Sequence, residues 1–200
     1  MRGCLGGLLG VVVGLALLGE AVDVGARHVA TSKLEERVSQ AVPEASGVHA
    51  WIRSFPFLKV AFDGDIDEIG VRAARVVEKP LVFTNVSVDL RGVRVSVTDL
   101  ATSAQVNVTE IKQGTVELTV TESSLEQALP PAVAALAPRA TVSVNAATRQ
   151  LVISVAGIAA VDLPLPKVDL LPCTPTVTQV PGGITLGCQF TQVPSAFASS

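Results

Sequence analysis

Along most of this chain apolar residues recur at every second position. Ile69, Val71 and Ala73 alternate with Gly70 and Arg72, and Val82, Thr84, Val86, Val88 and Leu90 alternate with Asn85, Ser87, Asp89 and Arg91. Val93, Val95 and Val97 follow, separated by Arg94 and Ser96. Val106 and Val108 lead into Lys112-Gln113-Gly114, which reads as a turn, and Val116, Leu118 and Val120 return from it. A period of two gives each strand one apolar and one polar face, which predicts an antiparallel sheet wetted on one side.

Two segments carry a helical period instead. Val22, Ala26, Ala30, Leu34, Val38 and Val42 recur at every fourth residue among Arg27, Lys33, Glu35, Glu36 and Arg37, and Pro43 and Gly47 end the run. This predicts one amphipathic helix whose narrow stripe of small residues lies on a sheet. Further on, Ser123 and Glu126 have capping-box spacing ahead of Leu125, Leu129, Val133 and Leu136. Pro130-Pro131 must kink or split this second helix, and Pro138 ends it. Val142 and Val144 then face Leu151, Ile153 and Val155 across an Asn145–Thr148 turn. Ile158 to Leu171 carries Pro164 and Pro166 and belongs at a sheet edge or in an extended loop. Thr176–Val180 and Ile184–Leu186 flank Pro181-Gly182-Gly183, a hairpin signal. The order of elements is that of an α+β fold, with two helices against a strongly curved antiparallel sheet.

The N-terminus stands apart from this pattern. Arg2 precedes an uncharged apolar run, Leu5 to Leu18, and the small residues of Gly19-Glu20-Ala21 suit a signal peptidase. The run has the length of a signal core and falls short of the roughly 20 residues that span a bilayer. Residues 1–21 are therefore expected to be a cleaved signal peptide or a retained anchor, with residues 22–200 forming a single exported domain. Cys4 lies too near the start to be a lipoprotein cysteine. That leaves Cys173 and Cys188, an even pair flanking the Pro-Gly-Gly turn, for which a disulfide is expected and two buried free thiols are the alternative.

Composition narrows the function. With 48% hydrophobic and 16% charged residues, the 200-residue chain is not disordered. Its net charge is -3 and it has no basic run, so no nucleic-acid partner is expected. His28 and His49 lack any partner motif, and no nucleophile elbow, zinc motif or phosphate loop occurs. No catalytic residue, metal or cofactor is expected. Asp63-Gly64-Asp65-Ile66-Asp67 begins like a calcium loop but has Glu68 where glycine is required and Ala74 where glutamate is required, so it reads as an acidic turn. Asn85-Val86-Ser87 and Asn107-Val108-Thr109 read as strand residues. Two groupings remain. Four of the seven aromatic residues, Trp51, Phe55, Phe57 and Phe62, fall together around Pro56 and Leu58 and suit a core corner or the mouth of an apolar pocket. Arg72, Arg75, Lys79, Arg91 and Arg94 suit a solvated sheet face or a phosphate contact.

The layout resembles the LmeA-like phospholipid-binding proteins of the actinobacterial cell envelope. The similarity is carried by the apolar leader followed by an amphipathic helix and by Phe55-Pro56-Phe57-Leu58 ahead of the acidic Gly64 turn. Leu90-Arg91-Gly92-Val93 and the Leu125–Leu129 helix start add to it, over about Val22 to Phe190. The resemblance implies a periplasmic, non-enzymatic binder similar to tubular lipid-binding domains, in which a curved sheet wraps a long helix around an apolar channel. It also implies a role in envelope lipid or lipoglycan metabolism. The partners are then a phospholipid and the membrane surface. The expected lipid contacts are Val29, Leu34 and Val38 on the helix together with Trp51, Phe55, Phe57, Leu58 and Phe62, and the expected headgroup contacts are Arg72, Arg75 and Arg91. A secreted scaffold with a dry core and an envelope-lipid hydrolase are the alternatives.

Overall fold

The computed structural model describes residues 23–98, 107–134, 140–155, 158–165 and 171–193. The expected leader, Val22, Val106, Leu136, Pro138, Pro166 and residues 194–200 lie outside these, as do the side chains of Leu58, Val133, Val155 and Ile158. Helix α1 (residues 23–41) stops just short of Pro43, where the amphipathic stripe ends. Strand β1 (Ala45–Arg53) follows. A 3-10 turn (Phe57–Lys59) and a single helical turn, α2 (Val60–Asp63), then lead into three long strands, β2 (Asp65–Glu78), β3 (Leu81–Val95) and β4 (Val108–Thr121). Short helices α3 (Glu122–Ala128) and α4 (Pro131–Ala134) precede β5 (Thr141–Asn145), β6 (Gln150–Val155), β7 (Ile158–Pro164), β8 (Thr176–Val180) and β9 (Gly183–Phe190).

The strands make a six-stranded sheet of order β1-β2-β3-β4-β9-β8 and a three-stranded sheet of order β5-β6-β7. Every pairing is antiparallel. The fold is α+β as expected, but the large sheet is neither closed nor strongly curled. Val142 faces Ile153 and Val144 faces Leu151, as the alternation requires, and the proline-bearing β7 lies at an edge of its sheet.

Two local expectations are corrected. Lys112-Gln113-Gly114 is not a turn, because β4 runs straight through it. Gly114 pairs with Leu90 on one side and Phe190 on the other, and a Cβ there would lie 2.3 Å from the Phe190 ring. The glycine makes room for an aromatic ring rather than reversing the chain. The cap of α3 is Thr121 rather than Ser123: Thr121 Oγ1 accepts the Ser124 N–H at 3.3 Å. Ser124 Oγ in turn accepts the Val82 N–H at 2.8 Å and ties α3 to β3. The helix splits at the double proline, with Leu129 held extended at ψ 150° as a residue before proline prefers.

At about 3.3 Å per residue, the three long strands outrun any single compact core. Two clusters form instead. The first joins Val76, Phe83, Val120, Leu125, Leu151, Ile153 and Leu186 under the small sheet and α3. The second joins Ile52, Val60, Ile66, Leu90, Val93 and Ile111 at the other end of the strands. Val88 and Phe190 touch both. The Cys173–Cys188 disulfide is formed, with its Cα atoms 6.0 Å apart, and belongs to the first cluster. Its hairpin closes at Val180 opposite Gly183, with Gly182 at φ 81°, so Thr176 lies opposite Gly187.

Candidate functional site

Helix α1 packs on the large sheet at its second-cluster end. Ala30 and Leu34 pack on the second cluster, Val42 packs on the first, and Val38 between them is half-buried. β1 is an edge strand, so its outward amides have no strand partner. Glu35 supplies one, its carboxylate accepting the Ala50 N–H at 2.8 Å. Val48, Val86 and Val88 pack on the first cluster yet stay only half-buried. Their side chains are short and remain partly accessible to solvent.

The structure separates the aromatic grouping. Phe57 packs on the second cluster with Leu34. Phe55 and Phe62 project into solvent, 73% and 84% exposed, and Val29 on α1 is 61% exposed. Trp51 lies on the other side of β1 from buried Ala50 and Ile52. Its indole rests on Gly70, where a Cβ would come within 2.0 Å of the ring.

On that outer face Trp51 joins Arg53, Glu68, Arg72, Asp89 and Arg91, with polar residues of β4, around an open depression of about 410 Å³. The Trp51 Nε1–H donates to Glu68 Oε1 at 3.1 Å, and Arg53 Nη1 donates to the same oxygen at 3.2 Å. The indole hydrogen bond, helped by the charges of Arg53 and Arg91, holds the Glu68 carboxyl below the usual range. The Arg72 guanidinium stacks over the indole at 5.0 Å from its centroid. Of the expected headgroup residues, the structure therefore brings Arg72 and Arg91 together with Trp51. Arg75 is exposed on β2 opposite Ser46 and Thr84 and does not line the depression. The acidic turn is engaged in ion pairs, Asp63 with Lys59 at 3.2 Å and Asp65 with Arg94 at 2.8 Å. Sequence reasoning missed the Gly70 seat and the Glu35 contact, since both depend on cross-element register.

The chain belongs to the LmeA-like phospholipid-binding family, whose family model matches residues 21–196. No curated protein and no solved structure gives a significant match. The family is a lipid-binding one, and phospholipid is the ligand class it supports. Among the described residues no helix is long and apolar enough to cross a membrane.

Proposed function

We propose that this protein holds the acyl chains of a phospholipid between α1 and the inner face of the large sheet, with Leu34, Val38, Phe57 and Leu58 among the contacts. The observation that carries the proposal is the half-buried valine surface of Val48, Val86 and Val88, which borders the first cluster and at Val88 reaches the second, in a member of a phospholipid-binding family. Each methylene buried there contributes about 0.8 kcal/mol. The proposal includes a sheet that curves around the ligand as in tubular lipid-binding domains. It also includes residues 1–21 as signal peptide or anchor, residues 22–200 as one exported domain, and a non-enzymatic role in envelope lipid or lipoglycan metabolism.

The test is to extract the purified protein with organic solvent and identify lipid by mass spectrometry. Folded Phe57→Asp and Leu58→Asp variants, checked by thermal melts, should lose the lipid. Wild-type lipid content in those folded variants overturns the site, and lipid-free wild-type protein favours a dry-core scaffold. The phosphate contact is a separate part of the proposal, because Arg72 and Arg91 stand on the outer face. Replacing both with glutamate should lower lipid content in protein that still folds, with a melt lowered only by loss of the Arg72–Trp51 stack, and unchanged content confines the ligand to the inner face.

A further inference from the structure

Among the described residues, the large hydrophobic side chains left exposed are Val24, Val29, Phe55 and Phe62, at 56%, 61%, 73% and 84%. Phe55 and Phe62 flank the turn between β1 and β2, and Val24 and Val29 stand on opposite flanks of the first half of α1. The chain reverses between α1 and β1, and the Glu35–Ala50 hydrogen bond puts those two residues at one level. From that level Val24 lies about 16 Å back along the helix at 1.5 Å per residue. On β1 the strand continues about 10 Å onward to Arg53 at 3.3 Å per residue, and Phe55 follows two residues beyond its end. Ala30, Leu34 and Phe57 meet in the second cluster, which independently brings the first half of α1 and the β1–β2 excursion to the same end of the molecule. In the sequence, the uncharged run Leu5 to Leu18 joins the chain just before this end.

Three cations near the exposed group are paired. Arg27 pairs with Asp23 at 4.0 Å, Lys59 with Asp63 at 3.2 Å, and Arg53 with Glu68 at 3.2 Å. A surface built to meet anionic lipid would carry unmatched cations. A surface with apolar residues among paired charges suits a bilayer without net charge, where phenylalanine enters the interface and the polar rim stays hydrated.

We propose that this end of the molecule, carried by Phe55 and Phe62 and flanked by Val24 and Val29, is a membrane-docking tip that inserts into the interface of a zwitterionic bilayer. The proposal deepens the lipid-binding reading by naming the end through which the domain meets its lipid source. The probe is a phosphatidylcholine vesicle and the readout is co-sedimentation of the full chain. Wild-type protein should bind to nearly the same extent at low and high salt. The Phe55→Ser/Phe62→Ser double variant should partition roughly tenfold or more weakly, as expected for removing two interfacial phenylalanines. Phe62→Trp should keep binding and, in a Trp51→Phe background, its fluorescence should be quenched by brominated phosphatidylcholine. Double-variant binding equal to wild type, binding only to anionic vesicles, or absence of quenching each overturns the tip. Lipid content measured on the same preparations separates the two ideas. Lipid-loaded protein that never binds vesicles sinks the tip alone, and vesicle-binding protein without lipid sinks the acyl site alone.

Discussion

Gly70→Ala is a sharp test of how the outer face is built. The new methyl group would sit 2.0 Å from two carbons of the Trp51 indole, so the ring must lift off the sheet. Lifting it breaks the 3.1 Å hydrogen bond to Glu68 and the 5.0 Å stack under Arg72. The hydrogen bond, in this half-exposed setting, is worth about 1 kcal/mol, the value of an ordinary rather than a buried charged bond. The cation–π contact adds about 0.5–1 kcal/mol. Alanine returns about 0.5–1 kcal/mol through its lower backbone entropy in a strand. The expected net loss is therefore about 1 kcal/mol, or about 2–4 °C in melting temperature for a chain of this size. Trp51 is the only tryptophan, so intrinsic fluorescence reports the ring directly, and its emission should shift to the red. In a Trp51→Ala background the sign should reverse, because only the gain from alanine remains. A Gly70→Ala variant with wild-type emission and melt, or one equally destabilised without the indole, would refute the reasoning.

Mass spectrometry of the non-reduced protein should find Cys173 and Cys188 bonded, and replacing both with serine should cost about 3 kcal/mol by denaturant titration, as loop closure predicts. Glu35→Ala should cost about 1–2 kcal/mol by leaving the Ala50 amide without its acceptor, and should speed hydrogen exchange at that amide. The Asp65 carboxyl is held below its ordinary value by the Arg94 hydrogen bond. Its contribution is therefore complete above the unfolded value near 4 and is lost as pH falls through the lower folded value. Asp65→Asn should melt below wild type at pH 6 and converge with it in acid, and a gap that persists below pH 2 would contradict this.

What the sequence disclosed depended on the range of the interactions involved. The helix 23–41 was legible because a fourfold apolar stripe and Pro43 are both local signals, and the β8–β9 hairpin because Pro-Gly-Gly sits between two short alternating runs. Gly114 misled for the opposite reason. Locally it follows Lys and Gln and looks like a reversal, whereas its role is set by Phe190 on a strand far along the chain. The bulge at Asn85, with φ 50° and a register shift between Thr84 and Ser87, likewise buries Leu81 and Phe83 where strict alternation favoured Val82 and Thr84. The aromatic grouping was visible as a sequence feature, but its distribution over three environments was not. Adjacent strand residues face opposite ways, and the excursion at Pro56 turns Phe55 and Phe57 toward solvent and core respectively.

The two clusters along the long strands are unequally fastened. One end is secured by a disulfide, a second sheet and the α3 cap. The other rests on one helix and a short turn. Cooperative units of unequal stability open independently when the contacts between them are few. Native-state hydrogen exchange should accordingly show α1 and β1 opening at lower free energy than β6 and β9. A guest molecule could then enter sideways by a sub-global breathing motion of the weaker end, while the disulfide-tied half stays folded and keeps the strands in register for closure.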